Sequence, residues 1–470
     1  MSYLRLLSIV LLFSISVAAI ADPIQERINK CVKDHYNVGI AVIVIESTNV
    51  RHYFAGTLSK MPSARPVDKD TIFPLASMTK VFTTLALAEQ VVLGKIKLDA
   101  PAQNCMPIGL TLPTYKGDPI RIVNLATHTA GMPAPHNISH GNPFATLNQI
   151  KEFLKNYKLP YPPGSHYLYS NLSISLLAQC LSTLSGESYE VFMKNNICLP
   201  LNMTETYFQV PEYRKNNLVT GYLADGKEAT YWQFKAMNPA GGLFSSPKDL
   251  ANFLKANLGL MNTSLYPAMK LAHKPFYSEG KNSRNLGLPK GTIVFSSLGW
   301  NVYENLVWKT GNYPGFSSFI GLRTDKKLGV VVLANTGNIA YTNNLGMHIL
   351  DASIELLPTY KAIHLSENQL KGLTGTYQIK NGDTYQLQVE DSSIRALNLS
   401  VPITMRNYFA LYPMEKDKFF ALVDDSVFTF FRNKEGEVTG FTLTEDGKIS
   451  TGTKVGSRQD VSNSVLINSY

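Results

Sequence analysis

The chain has 470 residues and a formal net charge of +9. Its Lys and Arg residues are scattered, with local pairs no longer than Lys326-Lys327 and no basic stripe interleaved with aromatic residues. This excludes a nucleic-acid groove and leaves a solvated basic surface able to attract an anionic envelope or carboxylate-bearing substrates. Four cysteines with neither a Cys-x-x-Cys spacing nor a His/Cys cluster exclude the usual zinc frameworks.

In chain order, Met1 to Arg5 carry one positive charge, Leu6 to Ile20 form an apolar run too short for a confident span, and Ala19-Ile20-Ala21 fits a small-x-small cleavage site. Residues 1–21 are therefore predicted to be a secretory signal, with the mature chain starting near Asp22 and no stable membrane span once it is removed. Losing Arg5 lowers the net charge from +9 to +8. Export to the periplasm or beyond places Cys31, Cys105, Cys180 and Cys198 in an oxidising compartment, where three pairings are open.

After Ser77-Met78-Thr79-Lys80 the run Val81 to Leu93 is nearly all apolar, lacks proline and stops at Gly94, which predicts a helix buried in the middle of a domain. Spacing of three puts Ser77 and Lys80 one turn apart at the positive end of that helix. Two other Ser-x-x-Lys matches lack such a setting. Ser245 precedes Ser246-Pro247-Lys248-Asp249, the cap and first turn of an amphipathic helix, and Ser278 lies beside Gly280 in what reads as a polar loop. His136 and His140 have helical spacing, but Pro133 and Pro135 argue for a loop of solvated histidines rather than a metal site.

Tyr169-Ser170-Asn171 follows a Pro163-Gly164 turn. The Asn171-Leu172-Ser173 sequon within it reads as incidental, because a glycan there would block the site proposed below. Lys309-Thr310-Gly311 follows Leu306-Val307-Trp308. It precedes Phe316 to Leu322, a turn at Thr324 to Lys327, and Leu328 to Ala334, so Lys309 lies on a strand beside a hairpin. The larger part is predicted to be mixed α/β, with antiparallel strands flanking a central helix. Texture changes near Leu357 to Leu365. Beyond it, Gly375 to Ile379, Thr384 to Val389, Phe419 to Val423, Val427 to Arg432 and Val438 to Leu443 are short β-rich runs separated by turn residues. Some eight such strands predict an antiparallel meander closed, or nearly closed, into an all-β barrel. The expected division is 1–21 signal, 22–357 catalytic domain and 365–455 barrel domain.

Together the three motifs supply a nucleophile, two candidate proton acceptors and a cationic strand edge, the equipment for acyl transfer through a serine ester. A serine hydroxyl needs a base. Lys80 qualifies only if burial and nearby positive charge, such as Lys309, lower its pKa, and Tyr169 is the alternative. Asn171 is expected to hydrogen-bond Lys80 and a substrate amide. Lys309 with Thr310 offers a carboxylate site, Gly311 permits close approach of substrate, and the backbone N–H groups of Ser77 and Asn312 form an oxyanion hole. This chemistry calls for no metal and no organic cofactor.

Several connected phrases carry a family resemblance: Phe73 to Lys80, Leu125 to Pro133, Pro163 through Asn171, Pro239 to Ser246, and Lys309-Thr310-Gly311. Over roughly Gln25 to Leu350 the chain resembles the serine hydrolase superfamily that contains class C β-lactamases, D-Ala-D-Ala carboxypeptidases, D-aminopeptidases and some esterases. The resemblance implies Ser77 as acylated nucleophile, Lys80 and Tyr169 as the proton-transfer pair, Asn171 as substrate and lysine partner, and Lys309 as electrostatic support. The C-terminal part is similar to lipocalin-like barrels, on Leu373 to Tyr377 and the strands Phe428 to Leu443. Lys-Thr-Gly and Tyr-Ser-Asn favour amide cleavage of β-lactams or D-amino-acid peptides over an esterase. Ala134-Pro135-His136-Asn137 replaces an expected glutamine, and Asn312-Tyr313-Pro314-Gly315 replaces a second glycine, which implies slow β-lactam turnover. An esterase of the same superfamily and a non-catalytic binding protein are the competing readings. The partner is a small molecule or short peptide.

Overall fold

A computed structural model describes residues 22–133, 145–281, 287–289, 291–380, 382–390, 393–400, 408–423, 425–445 and 447–455. Residues 1–21, expected to be a signal, and residues 134–144, which include Ala134 to Asn137, His136 and His140, lie outside these residues.

Eight antiparallel strands form the central sheet: β1 (Gly39–Glu46), β2 (Asn49–Gly56), β3 (Tyr277–Lys281), β4 (Ile293–Ser296), β5 (Asn301–Tyr303), β6 (Leu306–Tyr313), β7 (Phe316–Arg323) and β8 (Leu328–Ala334). Their order across the sheet is β2-β1-β8-β7-β6-β5-β4-β3. Strand β1 reads as an unbroken apolar run because both of its faces are covered. Ile40, Val42 and Val44 pack with Ile28 of α1 (Pro23–Lys33), while Ala41, Ile43 and Ile45 pack into the opposite cluster with Val81 and Phe82. Ser278 therefore sits on β3, paired opposite Phe295, rather than in a loop. The Ser245 match is as expected: Ser246 caps α4 (Pro247–Asn257), accepting from the Asp249 N–H.

The helix after Ser77 is α2 (Thr79–Val92), and only Glu89, Val91 and Val92 in it escape full burial. Gly94, at φ +71°, ends it in the left-handed conformation that glycine adopts without a Cβ penalty. Three buried threonines fix the helix to its surroundings. Thr79 Oγ1 accepts from Leu243 N–H at 3.1 Å, and the Thr83 and Thr84 hydroxyls donate to Pro239 O and Leu298 O, each at 2.7 Å.

Cys105 pairs with Cys180 across 75 residues, joining the turn Ala102–Cys105 to α3 (Asn171–Ser185), while Cys31 and Cys198 are free and buried. Closing a loop of that length removes about 4 kcal/mol of chain entropy from the unfolded state. The Cys105→Ala/Cys180→Ala protein is accordingly expected to unfold in urea with its stability lowered by about 3 kcal/mol. An unchanged midpoint and slope would refute this.

The C-terminal strands run in sequence order and close: β9 (Gly375–Ile379), β10 (Thr384–Glu390), β11 (Ser393–Asn398), β12 (Tyr408–Glu415), β13 (Lys418–Ala421), β14 (Val427–Arg432), β15 (Val438–Glu445) and β16 (Lys448–Val455), with β9 paired to β16. Closure leaves no free edge. Buried rings of Tyr377, Tyr385, Phe419, Phe428, Phe430 and Phe441 fill the interior, for example Phe428 and Phe441 with centroids 5.0 Å apart. The barrel docks through a cluster in which Tyr36 meets Tyr341 at 4.5 Å and Phe420 at 5.9 Å.

Candidate active site

Ser77 opens the path into α2 from a strained turn. Ala76 has φ +48°, a left-handed conformation costing an alanine about 1 kcal/mol, and it leaves the Ser77 side chain partly exposed above the helix. The turn is held on both sides: Leu75 N–H donates to Leu243 O at 2.8 Å, and Leu75 O accepts from the Ser318 hydroxyl on β7 at 2.8 Å.

Lys80 is wholly buried, with Nζ 3.1 Å from Ser77 Oγ and 2.6 Å from the Ala240 carbonyl. Among the described residues, none of its contacts is a carboxylate. Desolvation first, and the Lys309 charge second, push its pKa well below the ordinary lysine value. The Ala240 carbonyl was not legible as a lysine partner. Its place in the phrase Pro239 to Ser246 is explained here, because a backbone acceptor holds the amine without restoring its positive charge. Asn171, expected to do this, does not: among the described residues its buried Oδ1 accepts no hydrogen bond.

The Tyr169 ring lies between the two lysines, its centroid 4.8 Å from Lys80 Nζ and 5.1 Å from Lys309 Nζ. Its segment is braced from the Thr127-His128-Thr129 loop. His128 O accepts from Leu168 N–H at 2.8 Å, His128 Nδ1 from Ser170 N–H at 3.2 Å, and the imidazole lies 4.5 Å from the Tyr169 ring. His128 itself has φ +59°, so a second left-handed residue shapes the pocket, and no sequence signal distinguished it from a structural histidine.

Lys309 is 5% exposed, and β6 carries it toward α2. Along β6, Val307 and Tyr313 pack on the α2 side and Leu306 and Trp308 on the other, so alternation sends Lys309 and Gly311 toward Ser77 and Thr310 and Asn312 away. Backbone direction alternates too. The two-residue turn Pro314-Gly315 makes Tyr313 and Phe316 a hydrogen-bonded pair, which directs the amides of Gly311 and Lys309 to β7 and those of Asn312 and Thr310 to the opposite edge. Strand β5 pairs only as far as Trp308, so no described strand covers that edge beyond it. The Asn312 N–H is thus free of strand pairing on the side where the sequence placed an oxyanion donor.

Gly311 has no room for a side chain. A Cβ there would lie 2.3 Å from Leu75 O, 2.3 Å from Ser318 Oγ and 3.0 Å from Met78 N. Gly311→Ala is therefore expected to push β6 off the Ser77 turn and cut kcat/KM about a hundredfold, through misplacement of the strand relative to the hydroxyl. Retention of wild-type rates in a folded Gly311→Ala protein would show that the strand's distance from the turn is unimportant. Among the described residues, no group of three His, Cys, Asp or Glu is placed to hold a metal ion.

A mixed fold with a buried, deprotonation-prone lysine beside a reachable serine defines a serine hydrolase of the β-lactamase/DD-peptidase type. The sequence profile of the Beta-lactamase family matches residues 24–352, and the chain belongs to that family. It is similar to the D-alanyl-D-alanine-carboxypeptidase/endopeptidase AmpH of Escherichia coli, with 29% identity over 334 residues, covering 68% of this chain and 84% of that protein. A beta-lactamase of Pseudomonas fluorescens is 26% identical over 323 residues, 63% of this chain and 88% of its own. Among solved structures, an octameric penicillin-binding protein homologue from Pyrococcus abyssi shares the fold with a TM-score of 0.61 at 23% identity, covering 92% of this chain and 99% of that one. A class C beta lactamase gives 0.61 at 22% identity over 70% and 96%.

Proposed function

We propose that the protein is an exported hydrolase that cleaves the amide bond of a peptide ending in D-amino acids, or the related amide of a β-lactam, through an ester on Ser77. The observation that carries this is the Lys80 amine, buried, short of charge-stabilising partners and 3.1 Å from the Ser77 hydroxyl. Neutral Lys80 takes the Ser77 proton as Oγ attacks the carbonyl carbon. The N–H groups of Ser77 and Asn312 hold the resulting oxyanion, and Tyr169, between the two lysines, delivers a proton to the leaving nitrogen. Water then attacks the ester carbon and gives a proton to Tyr169, while Lys80 returns its proton to Ser77 Oγ, so that the acid is released and Ser77, Lys80 and Tyr169 are restored. Lys309, on the Ser77 side of β6, receives the substrate carboxylate. The relative named as a carboxypeptidase/endopeptidase supports the peptide over the lactam as the natural substrate.

Export is supported by the Cys105–Cys180 bond, which belongs to an oxidising compartment. We read 22–357 as the hydrolase domain and 365–455 as the barrel domain, a division supported by a family match ending at 352 and a first barrel strand starting at Gly375. The up-and-down order of eight strands supports the lipocalin-like reading of the barrel.

Incubation with a labelled penicillin followed by intact mass tests the site. One adduct per chain, persisting for many turnovers of a fast lactamase, is expected of a DD-peptidase. Rapid loss of the adduct would reassign the enzyme as a β-lactamase, and absence of any adduct, with aryl esters turned over, would make it an esterase.

A further inference from the structure

The hairpin in which Gly221-Tyr222 pairs with Glu228-Ala229 joins the barrel to the candidate site. At the barrel end, Asp225 is ion-paired with Arg395 of β11, the two side chains being 2% and 7% exposed. Glu390 of β10 reaches Arg395 Nε at 3.0 Å and Lys227 Nζ at 2.6 Å, and the Tyr412 hydroxyl donates to Ala224 O at 2.7 Å.

At the site end, Tyr222 N–H donates to Asn335 O at 3.0 Å and to Gly315 O, in the β6–β7 turn, at 3.2 Å. The chain then runs through an aromatic wall. Tyr231 stacks on Phe316 with centroids 5.1 Å apart, and Trp232 lies nearly parallel to Tyr313 at 5.4 Å and 15°. Phe234 presses on Gly241, where a Cβ would come within 2.9 Å of the ring, one residue from the Ala240 carbonyl that holds Lys80. The wall therefore touches both the strand carrying Lys309 and Gly241, the residue next to the acceptor of the buried amine.

One side of the hairpin, Tyr222 to Gly226, faces a cavity of about 680 Å³ shared with Lys60, Tyr412 and Phe420. Packed side chains resist displacement; an open cavity does not. Tyr222 is fully buried at the base and Ala224 shares a buried cluster with Phe420 and Leu422, but beside the cavity the turn that carries Asp225 is placed by polar anchors, of which Asp225–Arg395 is the most buried ion pair.

We propose that Arg395 is a positioning residue for the hydrolase site: through Asp225 it holds the hairpin that sets Tyr231, Trp232 and Phe234 against β6, and so fixes one wall of the substrate cleft from the barrel. This rests on Ser77 being the nucleophile. The barrel is then part of the enzyme's specificity without supplying a catalytic group.

The test uses the full-length protein with Arg395→Ala, Arg395→Lys, the exchange Asp225→Arg/Arg395→Asp, and the milder Lys227→Met. Rates with a D-Ala-D-Ala peptide are read together with acrylamide quenching of tryptophan, which reports chiefly Trp232 because Trp300 and Trp308 are buried. Arg395→Ala is expected to raise KM about tenfold, to change kcat much less, and to increase quenching. Arg395→Lys or the exchange should recover most of the loss. A folded Arg395→Ala protein with wild-type KM and quenching overturns the proposal, as does a KM defect that neither rescue variant reduces. If Arg395→Ala does not fold, Lys227→Met decides, with about a threefold rise in KM and greater quenching expected and no change in either being fatal. Failure of wild-type protein to acylate at Ser77 would instead remove the nucleophile assignment, and the quenching arm would still report whether the barrel sets the wall.

Discussion

Ser77→Ala is expected to abolish the penicillin adduct and lower kcat/KM about ten-thousandfold or more, while leaving the fold intact. In the proposed mechanism the hydroxyl is the atom that becomes covalently bound, and the residual activity of a protein lacking its nucleophile comes only from substrate positioning and the oxyanion donors. Stability should change little. Ser77 is partly exposed, and the alanine forfeits one hydrogen bond, after which Lys80 keeps its 2.6 Å bond to Ala240 O. Peptide mapping of the wild-type adduct adds a positive control, since it should fall on the tryptic fragment containing Ser77. The competing Ser-x-x-Lys serines are poor alternatives on structural grounds: Ser245 is fully buried and bonded to Thr206, and Ser278 lies on the edge strand β3. An adduct that survives Ser77→Ala would show that another residue reacts and would remove the proposed mechanism.

Lys80→Met carries the second large effect and has two signs. Activity should fall about a thousandfold, the contribution of a well-placed general base, and the acidic limb of the pH–rate profile should vanish with it. In the wild type that limb rises with pH as Lys80 loses its proton. Lys309→Met removes the neighbouring charge that helps depress the Lys80 pKa, so the limb should move to higher pH. Stability should move the other way. Between the lowered pKa of folded Lys80 and the unfolded value of 10.5, the unfolded chain binds a proton that the folded chain lacks, so the stability contribution of this group rises with pH across that interval. At neutral pH the buried amine is therefore a net cost, and methionine, of similar length and without charge, removes it. A higher melting temperature for Lys80→Met at pH 7, with the gain shrinking toward pH 10, is the expected result. A lower melting temperature together with an unaltered pH profile would mean that Lys80 is an ordinary charged lysine and not the base.

What made Ser77 and Lys80 legible is that both lie within one helical turn, in a segment whose apolar composition and terminal Gly94 already specify α2 and its burial. The burial that lowers the Lys80 pKa is thus written into its own neighbours in the chain. The barrel was legible for a similar reason, since strands such as Val427–Arg432 and Val438–Glu445 alternate and are separated by short polar turns. Strand β16 was not, because Lys448–Val455 is mostly exposed and polar and is held by pairing with β15 and β9 rather than by its own pattern. Ser278 was misread as loop for the same cause: its residues are weak strand formers that pair only because β4 is there.

The sequence by itself determined the family, the α/β and barrel composition, and the three motifs, because each is encoded in residues adjacent along the chain. Only the tertiary structure decided that Cys105 joins Cys180, that Ala240 rather than Asn171 receives the Lys80 amine, and that a hairpin anchored by Arg395 reaches the wall beside β6. Each of these depends on backbone groups or side chains brought together from distant parts of the chain. A carbonyl oxygen in particular is the same at every residue, so its use as a partner leaves no mark in the amino-acid code.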